Sequence, residues 1–170
     1  MNSTSRVVSS ALSLSLLFLV IAFTPRAATA QTPEAGTFGI SAAIQNSPGG
    51  ITSTSVIGFP IWLNEQFVLA PELGFVSVEN GTDQIVIGAD GRFVFERDGL
   101  APYLGPGLRL LNADPEFGDS ETELVLSGFG GAEYFFSPSF SMSVEGRLEI
   151  LAGDNTVVTT AGVVRASVYF

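Results

Sequence analysis

The 170-residue chain has no Cys and no His, and all seven of its basic residues are Arg, so Lys is missing as well. Without Cys there is no disulfide framework, no thiolate ligand for zinc and no thiol nucleophile. Without His the commonest general base and metal ligand are gone, which excludes Ser-His and Asp-His hydrolytic schemes. Positive charge is scarce: 7 Arg face 17 Asp and Glu, for a net charge of −10. That balance argues against a nucleic-acid partner, which would need a basic stripe. Apolar residues are plentiful instead, at 46% with 19 Gly, too many for a disordered chain. The length suits one domain. These exclusions leave binding, structural and channel roles and point away from an enzyme. No residue set suggests itself as catalytic, cofactor-binding or metal-ligating.

Residues 1–30 read as a cleavable signal peptide for the Sec pathway. Arg6 precedes the apolar run Ala11–Phe23, a polar break follows at Thr24-Pro25-Arg26, and Ala28-Thr29-Ala30 supplies the small residues of a cleavage site. As a helix, 13 apolar residues would span about 20 Å, short of the roughly 30 Å hydrocarbon core, which argues against an anchor. The mature domain is then 31–170, with 5 Arg against all 17 acids.

From Gly36 onward the apolar period is two, interrupted by turn-forming clusters. The pattern predicts an all-β domain of eight strands: 36–46, 52–62, 67–78, 85–97, 102–112, 124–136, 140–151 and 157–170. Each is long enough to cross a bilayer at a tilt, which takes roughly 9–11 residues. One parity of each strand is apolar, as in Phe140, Met142, Val144, Gly146, Leu148 and Ile150. The other holds Ser, Thr, Gly and nearly every charge within a strand. Alternation alone does not separate a soluble sheet from a membrane one; three further features do. Tight connections (Leu63–Gln66, Asp98–Ala101, Ser137–Ser139) alternate with longer ones, the longest being Asn112–Glu123. Twelve aromatics lie near the tight turns or the C-terminus: Phe59, Trp62, Phe67, Phe93, Phe95, Tyr103, Tyr134, Phe135, Phe136, Phe140, Tyr169 and Phe170. They are expected to form a girdle at the short-turn rim. The last strand ends on Phe170, a member of its apolar face, whereas soluble ligand barrels usually continue into a helix.

The segments Ala70-Pro71-Glu72-Leu73-Gly74-Phe75, Ala101-Pro102-Tyr103-Leu104-Gly105-Pro106-Gly107-Leu108 and Gly128-Phe129-Gly130-Gly131-Ala132-Glu133-Tyr134 resemble the recurring strand sequences of small OmpA-like and OmpX-like outer-membrane β-barrel proteins. The terminal Val168-Tyr169-Phe170 is similar to the signal read by the outer-membrane barrel assembly machinery. The resemblance spans the mature chain and implies an eight-stranded antiparallel up-and-down transmembrane barrel in the outer membrane of a Gram-negative bacterium; the expected partner is outer-membrane lipid and the expected state a monomer. It implies no single activity. The chain carries no periplasmic cell-wall-binding domain, and its outer loops are short for an adhesin.

With the apolar parity outward, counting depth from the short-turn edge puts Glu72, Arg92, Glu133, Glu145 and Arg165 in one lumenal layer. Arg147 is a step higher, and Glu149 and Arg109 lie above it. Glu145 with Arg165, and Glu133 with Arg147, fall on neighbouring strands and are the expected pairs. An eight-stranded barrel has an interior just wide enough for side chains to fill, so an unpaired charge there costs several kcal/mol. The expected role of the layer is therefore a plug that satisfies the interior of a structural or interaction protein. The competing assignment is a narrow ion channel or small-solute transporter gated by the same network. Lipid enzymes on this scaffold rely on His, and a soluble lipid carrier would place the apolar parity inside.

The acidic run Asp114, Glu116, Asp119, Glu121 and Glu123 lacks EF-hand spacing and reads as a solvated loop. Asn80-Gly81-Thr82 reads as a turn. Gly105, Gly107, Gly128, Gly130 and Gly131 have no phosphate-loop context and are expected to permit curvature and close backbone approach. Pro60, Pro71 and Pro106 each withhold a ladder donor, which predicts bulges or local irregularity there.

Overall fold

The structure, a computed structural model, describes residues 32–46, 54–76, 82–95, 99–115, 121–152 and 156–170. Residues 1–30, expected to be a signal peptide, the Asn80-Gly81 turn, and Glu116 and Asp119 of the acidic run lie outside the described residues. Period-two patterning gives strands throughout: β1 (Gly39–Asn46), β2 (Thr54–Gly58), β3 (Ile61–Trp62), β4 (Phe67–Val76), β5 (Thr82–Val94), β6 (Leu100–Pro115), β7 (Glu121–Ser137), β8 (Phe140–Ala152) and β9 (Val157–Tyr169). From β4 to β9 each strand pairs antiparallel with the next. β9 returns to β1, with Gly39 opposite Tyr169 and Asn46 opposite Gly162. β2 pairs with both β1 and β4, so the sheet closes and leaves no edge for another chain to pair with.

Nine segments make eight staves, because β2 and β3 keep one register against β4: Ile57 lies opposite Leu73 and Ile61 opposite Leu69. The single strand expected over 52–62 is thus interrupted at Phe59–Pro60. Phe59 N donates to Pro71 O at 2.8 Å, and neither Pro60 nor Pro71 has a hydrogen to return. Two of the three prolines therefore share one break. Pro71 itself stays in register with Ala89, so the bulge expected there does not form. At Pro106 the β5–β6 pairing lapses between Asp90–Gly107 and Phe93–Leu104, where Gly91 crosses Gly105. A Cβ on Gly105 would sit 1.7 Å from Gly91 O. Gly105→Ala is expected to cost about 1–3 kcal/mol by overpacking, seen as a lower urea midpoint of the folded species. An unchanged midpoint would mean that the two backbones separate freely.

The apolar parity lies on the outer wall. Leu69, Leu73, Phe75, Ile85, Ile87, Leu104, Leu108, Leu126, Leu148 and Val164 are all exposed, and in β8 the alternation runs unbroken from Phe140 to Ala152. The inner wall differs from expectation at its short-turn end. Trp62, Tyr103, Phe135 and Tyr169, assigned from sequence to the rim girdle, are buried inside. They pack with Val68, Val94, Ala101 and Phe129 into an apolar floor, Trp62 and Phe135 at 6.4 Å between ring centroids and Phe135 and Tyr169 at 5.9 Å. Their parity is that of the charged residues, so proximity to a turn did not decide their side. The outward girdle keeps Phe59, Phe93, Phe95, Phe136, Phe140 and Phe170 exposed, with Phe67 and Tyr134 half-buried. Phe38 adds to it, stacked on Phe170 at 5.4 Å.

Candidate functional site

Above the aromatic floor the lumen is filled by charge. All six residues singled out from sequence, Glu72, Arg92, Glu133, Glu145, Arg147 and Arg165, are buried there, and so are Arg109 and Glu149. Each points inward because it shares the inner parity of its strand.

Glu72, on β4, holds two guanidiniums. Arg165 Nη2 donates to its Oε1 at 2.7 Å, and Arg109 donates to its Oε2 from Nη2 at 2.8 Å and from Nε at 3.2 Å. Arg165 Nη1 reaches Ser41 Oγ on β1 at 3.2 Å. Arg109 Nη1 donates to Gln45 Oε1 at 2.8 Å and to Glu149 Oε1 at 3.2 Å, and Gln45 Nε2 donates to Glu149 Oε1 at 2.9 Å. Arg109 was expected above the layer; barrel stagger brings it into the network's centre.

The residue that sequence reasoning missed is Asp90. It is fully buried (0% exposed), and Arg147 donates to both of its oxygens, from Nη1 to Oδ1 at 3.2 Å and from Nη2 to Oδ2. Its Oδ2 also lies 3.7 Å from Arg109 Nη2 and 3.8 Å from Arg165 Nη2. Asp90 precedes Arg92 by two residues, so its inward parity was readable. Arg147 Nε donates to Glu145 Oε1, whose other oxygen accepts Tyr103 OH at 3.1 Å, and the Arg147 guanidinium lies 4.7 Å from the Phe129 ring centroid.

The expected pairs Glu145–Arg165 and Glu133–Arg147 are replaced by Glu145–Arg147 and Glu72–Arg165. Asp90 draws Arg147 upward, and across the bore Arg165 finds Glu72. Glu133 and Arg92 form a second, lower group beside the aromatic floor, so the single layer becomes two tiers. Glu133 Oε1 accepts Tyr169 OH at 2.7 Å and the Ser141 hydroxyl, while Arg92 Nη1 stands 3.8 Å from Oε2.

Charge-assisted hydrogen bonds of this kind are the strong ones, and here they tie β1, β4, β5, β6, β8 and β9 together across the bore. Each guanidinium and carboxylate of the upper tier holds at least one partner, so what this arrangement offers is cohesion across the bore.

No protein-family model matches the chain, and no curated protein sequence does. Solved structures do. The N-terminal β-barrel domain of Pseudomonas aeruginosa OprF is similar with a TM-score of 0.67 at 14% identity, covering 80% of this chain and 98% of that one. Neisserial surface protein A follows with a TM-score of 0.55 at 18% identity, over 78% and 93% of the two chains. A de novo designed transmembrane β-barrel matches with a TM-score of 0.53 at 14% identity, over 82% and 99%. At these identities the likeness is one of fold, and the fold is the small outer-membrane β-barrel.

Proposed function

We propose that this chain, folded as the small outer-membrane β-barrels are, resides in the outer membrane of a Gram-negative bacterium. Its role there is structural or interactive, with the lumen closed by the Glu/Arg network. One observation carries the reading. The outer wall exposes Leu, Ile, Val and Phe around the barrel while the inner wall buries Glu72, Asp90, Arg109, Arg147 and Arg165. In water this arrangement would solvate grease and desolvate charge; in a bilayer both sides are matched. Lipid is then the principal partner. Residues 1–30 direct export through the Sec pathway, and Val168-Tyr169-Phe170 are read by the barrel assembly machinery. Val168 and Phe170 face outward for that contact, while Tyr169 locks inward on Glu133. The protein acts as a monomer.

Cell fractionation with a heat-modifiability gel shift, followed by planar-bilayer recording, tests this. The folded, faster-migrating form is expected in the outer-membrane fraction, with no resolved current steps. Recovery in the soluble fraction without detergent would end the membrane assignment. The channel reading draws on Asp90 Oδ2, which sits within 4 Å of Arg109 and Arg165 as an alternative partner for both, so the network has a second way to pair. It requires discrete steps from the wild type and larger ones from Arg165→Ala.

A further inference from the structure

The four buried guanidiniums of the described residues are not equally served. Arg109, Arg147 and Arg165 each donate at least two hydrogen bonds to side chains. Arg92, 1% exposed, donates none: its Nε, Nη1 and Nη2 are all without a hydrogen-bond partner. Its face is engaged, with Cζ 5.3 Å from the Tyr103 ring centroid, but a cation–π contact uses the π surface and leaves the in-plane N–H groups bare. Glu133 Oε2 cannot serve them from 3.8 Å, beyond hydrogen-bond range, and Oε1 is spent on Tyr169 and Ser141.

A second orphan lies on the same row. Trp62 is opposite Val68, and Val68 is opposite Arg92; all three face inward at the aromatic floor. Trp62 is 1% exposed and its Nε1 has no hydrogen-bond partner. Both groups are donors only, since neither indole N–H nor guanidinium has a lone pair to offer. Neither has an acceptor within hydrogen-bond reach, and an unmade bond to a buried donor costs about 1–3 kcal/mol, more where the group is charged.

We propose that Arg92 and Trp62 form an internal binding site for a small monovalent anion of halide size. The guanidinium supplies charge and a fork of donors, the indole a single directed N–H, and the Tyr103 and Phe135 rings a water-poor wall. The site lies on the short-turn side of the network and does not depend on whether the barrel conducts.

Trp62 is the only Trp of the chain, which makes the test direct. Refolded full-length mature protein in non-ionic detergent is titrated with iodide at constant ionic strength while Trp fluorescence is read. A 1%-exposed indole is shielded from collisional quenching, so bound iodide is expected to give a saturating quench that chloride competes away. Arg92→Gln is expected to weaken the half-quenching concentration about tenfold or more, as loss of charge-assisted donors implies. Glu133→Gln keeps Arg92, removes the neighbouring negative charge and is expected to tighten it. Weak, linear quenching that chloride does not affect would overturn the site and assign the orphan donors to internal water. A saturating quench unchanged in both variants would place the ion elsewhere and overturn it equally. Neither negative result touches the membrane assignment, which the gel shift and fractionation decide separately.

Discussion

Replacing Glu72 with leucine is expected to lower the stability of the folded barrel by about 3–5 kcal/mol, the cost of stranding a buried charge. Arg165 would keep only Ser41 at 3.2 Å and a distant Asp90 at 3.8 Å. Arg109 would fall back on Gln45 and Glu149. The measurement is urea unfolding of the heat-modifiable species in detergent or lipid. Removing both ends of the pair, in Glu72→Leu with Arg165→Met, should recover much of the loss, because two apolar groups of similar volume leave no uncompensated charge. A single-variant effect within about 0.5 kcal/mol, the size of an ordinary surface change, would mean that the lumen is wet enough to solvate Arg165 and that the network is no plug.

The second large effect belongs on the opposite wall. Leu108 points outward, 50% exposed, opposite Ala89 on β5 and Leu126 on β7, well away from either rim. Leu108→Arg is expected to cost about 2–4 kcal/mol in a bilayer if it lies near the midplane. On a water-washed wall the same change would be close to neutral. Refolding into vesicles with a urea titration reads the difference, and a neutral result would contradict lipid contact at this position.

Much of the barrel was legible in the chain because one quantity, the parity of apolar residues, fixes both the strands and the side of every residue on them. The inward set of charges follows from it, and Asp90 was as readable as Arg92 two places on. What parity does not contain is who meets whom across the bore. That depends on the stagger of strands distant in sequence: Arg165 on β9 reaches Glu72 on β4, and Arg109 on β6 joins them. Neighbour-strand reasoning therefore paired Glu145 with Arg165 and missed Glu145–Arg147, which lie two residues apart on one strand. The aromatics show a competition between two rules. Nearness to a turn suggested a girdle, yet Trp62, Tyr103, Phe135 and Tyr169 obey parity and turn inward. The prolines act through register rather than singly: Pro60 and Pro71 meet at one break, while Pro106 is absorbed beside Gly105.

That break at Phe59–Pro60 makes the wall mechanically uneven. From β6 round through β7, β8 and β9 the ladders are long, reaching fourteen residues on β6 from Leu100 to Ala113 and twelve on β8 from Phe140 to Leu151. On the far side, among the described residues, β2 pairs with β4 from Val56 to Gly58 and β3 at Ile61 and Trp62. A tube stiff on one flank and soft on the other does not stay circular under lateral pressure from the surrounding lipid. It is expected to flatten toward that flank, so that strain arriving from the bilayer would concentrate along that one stave.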